Sequence, residues 1–241
     1  MAETKRTAII NGTPYIGGID IGNTSQLSVA QTYEEKSLPN YQGGGGNDDS
    51  FKRLTAVTIT LAARNVSVAT LEAALGGTAT AEAAAPVADE EHTVVAPGQL
   101  ISFVSLQDLS QTLTVTDSAG ATTYVEGTDY TRKRGGIIVL AGGAIDADDV
   151  IKVSYTRHKG QRIQALLRTA KESNLEFDGT NERTNAPWFA RFFRVNWSPA
   201  DSLELIGDDF ATFTITGEVL RDETRVGVGE SQFFELLVGD L

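Results

Sequence analysis

Apolar residues recur at every second position through much of this 241-residue chain. In "RLTAVTITLAA", Val57, Ile59 and Leu61 fall on one side, with Leu54 close to the same phase. "WFARFFRVNW" sets Trp188, Ala190 and Phe192 against Phe189, Arg191 and Phe193. A period of two belongs to strands with one buried face, so sheets must supply most of the fold. Ile19 and Ile21, then Leu27 and Val29, flank "GNTS" and read as a hairpin or a bent strand pair. "LEFDGTN" reads as a strand running into a turn, "LELIGDDFATFTITGEVL" as two strands about Gly-Asp-Asp, and "SQFFELLVGDL" as a closing strand. "RIQALLRTA" fits helix and strand equally.

One segment has helical spacing. In "VSVATLEAALGG", residues 66–77, Ser67 is placed to cap, and Gly76 can take the left-handed stop. Val68, Leu71 and Leu75 are expected to share a face. So short a helix must lean on a sheet. The next stretch, Gly76 to Glu91, has small residues, a proline and an acidic cluster, and reads as a linker. Beyond it, "LISFVSL", "QTLTVTDSAGATTYVEGTDYTRKRGGIIVL" and "VIKVSYTRH" supply short strands, with "DSAG" and "KRGG" as turns. The predicted organisation is a β-rich domain built from residues 1–85 and 159–241. A small β-rich, Ig-like domain is inserted at 86–158.

Lys and Arg number 20 against 32 Asp and Glu, a net charge of -12. Such a surface repels phosphate backbones and argues against tight nucleic-acid binding. Residues 86–158 hold 10 of the acids and 5 of the bases. The chain has no cysteine, which excludes disulfides, thiolate nucleophiles and Cys-ligated zinc. No apolar run is long enough to span a membrane, and "MAETKRTAII" lacks the apolar core of a signal peptide, so membrane insertion is not expected.

Residue patterns for catalysis are weak. The run Gly43, Gly44, Gly45, Gly46 precedes Asn47, Asp48 and Asp49, whose carboxylates would repel a phosphate, and no helix pattern follows. No strand–GxGxxG–helix unit and no GxSxG elbow is present. His92 and His158 read as surface residues at the edges of the insert. Asp146, Asp148 and Asp149 satisfy only the start of a calcium-loop pattern, and Asp208 and Asp209 read as a solvated turn. No enzymatic activity, cofactor or metal is expected. The aromatics Trp188, Trp197, Tyr124 and Tyr130 admit a carbohydrate-binding reading, although strands favour aromatics for packing.

The glycine run lies between strand-like segments at about 33–38 and 53–63 and so forms the tip of a long hairpin-like connection. Ordering four glycines costs backbone entropy. The tip is expected to be mobile until it meets a partner, with Asp48, Asp49, Lys52 and Arg53 beside it for polar contacts.

In order along the chain, these segments resemble the tail tube (major tail) protein of long-tailed, siphovirus-like bacteriophages. The stretch from "GGIDIGNTSQLSV" through the glycine run to "TLEAALGG" resembles that family's opening. The "GTDY" element (Gly127, Asp129, Tyr130) is similar to a β module of phage tail proteins. "LEFDGTNE" and "VNWSPADSLELIGDDFATFTITGEVLRDE" are similar to the family's later strands. The resemblance implies a tail-tube-type β-sandwich with one short flanking helix, whose inner strands join a ring-shaped β-barrel on oligomerisation. It implies hexameric rings stacked into a tube through which DNA is ejected, located in the virion and assembled in the host cytoplasm. Implied partners are further copies of the chain, the tape measure protein, and tail completion and distal tail proteins, with transient, non-specific passage of DNA. The glycine run and Asn47, Asp48, Asp49, Lys52 and Arg53 would form the ring-stacking loop. Asp20, Glu34, Glu35, Glu176 and Glu218 are candidates for a negative lumen. A tail completion or terminator ring protein is the alternative within the structural class.

Overall fold

A computed structural model describes residues 7–203 and 205–239 of the protein. The described residues are mainly β with one short helix, and the chain divides into two compact units. One comprises Met1–Ala79 and Ile163–Leu241, the other Thr80–Arg162.

The larger unit holds strands β1 (Ile10–Ile16), β2 (Ile19–Asp20), β3 (Thr24–Pro39), β4 (Asn47–Ala63) and helix α1 (Val68–Leu75). After the smaller unit come β13 (Lys171–Asn181), β14 (Pro187–Ser198), β15 (Phe213–Val219) and β16 (Phe234–Val238). They form one antiparallel sheet in the order β2-β1-β13-β14-β15-β4-β3. The sheet forks at β14, which pairs with β16 through Trp188–Phe192 and with β15 through Val195–Ser198. Among the described residues none of the sheets closes into a barrel.

Period-two patterning puts Val57, Ile59, Leu61, Leu175, Phe192, Val195, Trp197 and Ile215 on one face, where they form the core. Helix α1 covers part of it. The Ser67 Oγ accepts the Thr70 N–H at 3.1 Å, and Gly76 takes φ 55° with its N–H turned back to the Ala73 carbonyl. The buried face of α1 matches the expected one only in part, with Leu71 packed against the core. Thr70 and Ala74 are buried, whereas Val68 is exposed. Two small side chains allow closer approach to the sheet than leucines would.

The smaller unit holds β6 (Ala85–Thr93), β7 (Leu100–Ser102), β8 (Thr114–Asp117), β9 (Tyr130–Lys133), β10 (Gly136–Val139) and β11 (Val150–Arg157). Two three-stranded sheets, β7-β10-β9 and β6-β11-β8, enclose Val94, Val115, Ile137, Ile151, Val153 and Tyr155. The "GTDY" element closes a corner of this unit. The Asp129 carboxylate accepts the N–H groups of Val125 (2.7 Å) and Ala144 (2.8 Å), Gly127 takes φ 85°, and Tyr130 is buried. Strands β5 (Thr78–Glu82) and β12 (Gly160–Gln164) pair with each other, and the division between the units falls within both.

Three expectations are corrected. Residues 76–91 are not a linker, since β5 and β6 occupy most of them; β6 is an edge strand, which tolerates Pro86 and its polar neighbours. "RIQALLRTA" is a strand only to Gln164, after which Leu166 turns at φ 57°. The described residues of 203–212 form no strand, because β15 starts to pair with β4 only at Phe213. Glu204, within that stretch, is outside the described residues. The closing strand occupies Phe234–Val238, and Asp240 and Leu241 are likewise outside the description.

Candidate functional site

Strands β3 and β4 form one hairpin, paired from Thr24↔Ala63 to Pro39↔Asn47. Its base belongs to the sheet, where β4 inserts Val57, Ile59 and Leu61 into the core. Its outer half has no core beneath it. From Gln31 through Arg53 no residue is buried, and only Glu34 and Asn40 are partly covered. Nine residues of extended strand reach about 30 Å. An isolated two-stranded hairpin is marginal in water, so such an arm gains by docking.

The tip is built by its dihedral angles. Gly43, Gly44, Gly45 and Gly46 take φ 98°, 93°, 71° and 83°, with open space where a Cβ would stand. Asn40 organises the turn, a role the sequence reading missed. Its N–H donates to the Gly46 carbonyl (3.0 Å), its side-chain amide to the Gly43 carbonyl (3.1 Å), and its Oδ1 accepts the Gln42 N–H (2.9 Å). The local signal was an Asx residue just before glycines. Asn47, Asp48 and Asp49 begin β4 and are exposed.

Below the tip the charges pair across the strands. Glu34 sits opposite Arg53 and meets it at 2.8 Å; Glu35 sits opposite Lys52 and meets it at 3.3 Å. Two candidate lumen acids thus lie on the arm and balance two candidate stacking cations. The arm also displays Tyr33, Leu38, Tyr41 and Phe51, all exposed. In the sequence they stand singly among polar residues and glycines, with no periodic pattern to mark them.

The sheet face opposite the core has a distinct texture. Register aligns Glu172, Asn196, Glu218, Thr58 and Ala30 across five strands. The adjacent row aligns Ser198, Thr216, Thr60 and Ser28. Small and hydroxyl side chains dominate here, and Arg194, the cation beside these rows, is held by Glu172 at 3.0 Å. Glu218 stands exposed on this face. Glu176 is on the same face but is paired with Arg191 (3.4 Å), which also binds Glu235 (2.8 Å). Asp20, on β2, accepts the Gly22 N–H at 2.6 Å. The five acids therefore do not form one cluster.

The remaining chemical candidates have structural surroundings. His92 is not a surface residue: its ring stacks on Phe103 and its Nε2 lies 2.8 Å from Glu90. Glu90 also accepts the Tyr155 hydroxyl proton at 2.8 Å, and burial with this bond pushes the phenol up to about 12. His158 lies beside the Lys159 carbonyl. Among the described residues no group of three or more His, Asp or Glu is placed to hold a metal. Trp197, Tyr124 and Tyr130 are buried, and Trp188 is half-buried with its indole nitrogen enclosed. No described helix is long and apolar enough to cross a membrane.

Fold and site together define a mainly β protein in which one long hairpin forms both a sheet face and a coreless arm. The chain matches the family described as "Protein of unknown function UCP028589" over residues 8–237, and it belongs to that family. The match spans both units. No curated protein matches the chain.

Proposed function

We propose that the protein is a structural subunit of a bacteriophage tail tube. In this reading the subunits form hexameric rings, and the rings stack around a channel for DNA. The observation that carries it is the β3–β4 hairpin. Its outer half exposes Tyr33, Leu38, Tyr41 and Phe51 without any core of its own, and a neighbouring copy would supply the missing cover.

The hydroxyl-bearing sheet face supports the same reading. A channel wall for DNA works best without free cations, which would hold phosphates. The rows around Thr58, Thr60, Thr216 and Glu218 meet that requirement, with Glu218 as the foremost candidate lumen acid. Among the described residues strand β3 pairs on one side only, so its other edge is available to a strand of the next subunit. Ring closure would convert such edges into a continuous barrel. The tape measure, tail completion and distal tail proteins would be the other partners, and the virion the final location.

Electron microscopy of the purified protein tests this. Hollow filaments are expected, whereas rings that never stack favour a terminator protein. Deleting Gly43–Gly46 should leave the unfolding transition of the core unchanged and stop filament growth. Normal filaments from that deletion would sink the stacking role of the arm.

A further inference from the structure

The smaller unit concentrates cations at one corner. Gln107 bridges to Arg157, and its amide donates to the Lys133 carbonyl while its oxygen accepts from Arg132 at 3.0 Å. The Gln107 N–H meets the Arg134 carbonyl, and the His158 N–H meets the Leu106 carbonyl. Elsewhere in this unit Lys152 pairs with Glu91 and Arg162 with Glu82. Among the described residues Arg132, Lys133, Arg134, Arg157 and Lys159 have no carboxylate at ion-pair distance. The acid at the corner, Asp108, turns its Oδ1 to the N–H and hydroxyl of Ser110. A cleft of about 300 Å³ opens here, lined by Leu106, Leu109, Arg134, His158 and Asp108 itself, and both leucines are exposed.

The larger unit has a loop of complementary character. Leu205 is 83% exposed, Ile206 96% and Phe210 83%. Asp208 and Asp209 stand among them, and residues 201–212 contain no Lys or Arg. Ala200 and Ala211 pack on the core at the two ends of this loop. Among the described residues, 201–212 makes hydrogen bonds only within itself.

We propose that the cationic corner of one copy receives the Leu205–Phe210 loop of a second copy. Apolar side chains of the loop enter the cleft beside Leu106 and Leu109, while Asp208 and Asp209 face Arg134 and His158. Charge complementarity selects this occupant in a chain of net charge -12. An anionic polymer would meet the cations but leave both leucines wet. The contact joins two different surfaces, so it can repeat from copy to copy. It rests on the self-assembly reading above and adds a second contact, independent of the arm.

The absence of native cysteine allows a clean test. Protein carrying Arg134→Cys is mixed with protein carrying Asp209→Cys under mild oxidation. Disulfide-linked dimers are expected in the mixture at about ten times the yield of either protein alone, because the bond requires close and specific geometry. Mixing excludes a link within one chain. In a parallel measurement, Arg134→Asp should weaken association about tenfold, and combining it with Asp209→Arg should recover most of the loss. Filaments that form without the cross-link and ignore both charge reversals would overturn this contact and leave the tube reading standing. Protein that stays monomeric in sedimentation would overturn both. Heparin retention that depends on Arg134, without any link between copies, would overturn the choice of partner.

Discussion

Asp129 shows what a single carboxylate does in this fold. Its oxygens accept the Val125 and Ala144 N–H groups, and these bonds hold its pKa below the usual carboxylate value. A depressed folded pKa contributes stability that is present above the unfolded value, about 3.9, and lost as pH falls through the folded one. The unfolding midpoint of the smaller unit should therefore drop as pH is lowered from about 5 toward about 3. Asp129→Asn should lower that midpoint at neutral pH and flatten its pH dependence, both measurable by calorimetry. An unchanged pH profile in the variant would assign the effect to other acids. Asp129 was legible only in part: the "GTDY" pattern and the Val125 partner are local, whereas Ala144 lies 15 residues on, beyond β9 and β10. The Glu90–His92–Tyr155 group was not legible. Glu90 and Tyr155 are brought together by β6–β11 pairing, and nothing nearby in sequence marks an acid that will face a phenol 65 residues away.

Local rules predicted elements unevenly. The caps of α1 were legible at Ser67 and Gly76, since capping depends on the residue itself. Its buried face was legible only in part: Leu71 packs on the core as spaced, but the deepest positions went to the small side chains Thr70 and Ala74. Likewise "LELIGDDF" has the composition of a strand, but its described residues pair with no neighbouring strand. The hairpin was legible from its glycine tip, yet the length of its ladder followed from pairing that polar residues do not announce. Strand β15 carries a sharper constraint. Gly217 lies opposite Trp197, and a Cβ there would stand 2.6 Å from Val195 Cγ1 and 2.9 Å from Trp197 Cε3. Both neighbours are buried and have little room to move. Gly217→Ala should cost about 1–3 kcal/mol by overpacking, read from denaturant unfolding. Wild-type stability in that variant would mean that the indole can shift.

At the scale of the whole chain, the order β2-β1-β13-β14-β15-β4-β3 could not be read from the sequence. β1 pairs with β13 across 159 to 171 residues, and strand periodicity names no partner. The two cores, however, are separate. That of the larger unit draws its buried residues from 21–74 and 175–219, and that of the smaller unit from 94–155. Excising Thr80–Arg162 therefore removes no core residue of the larger unit. The cut ends lie on the paired strands β5 and β12, which places them about 5 Å apart in the sheet direction. A short Gly-Ser turn between Ala79 and Ile163 can bridge that gap. Both tryptophans, Trp188 and Trp197, belong to the larger unit, so their fluorescence reports on it alone. The excised protein should keep the emission maximum of the full chain and unfold cooperatively within about 1–2 kcal/mol of it. Red-shifted emission would mean that the larger core needs the smaller unit in order to close. With the arm and the hydroxyl-bearing face retained, the same protein should still form filaments. They should assemble more weakly, because the cationic corner would be missing.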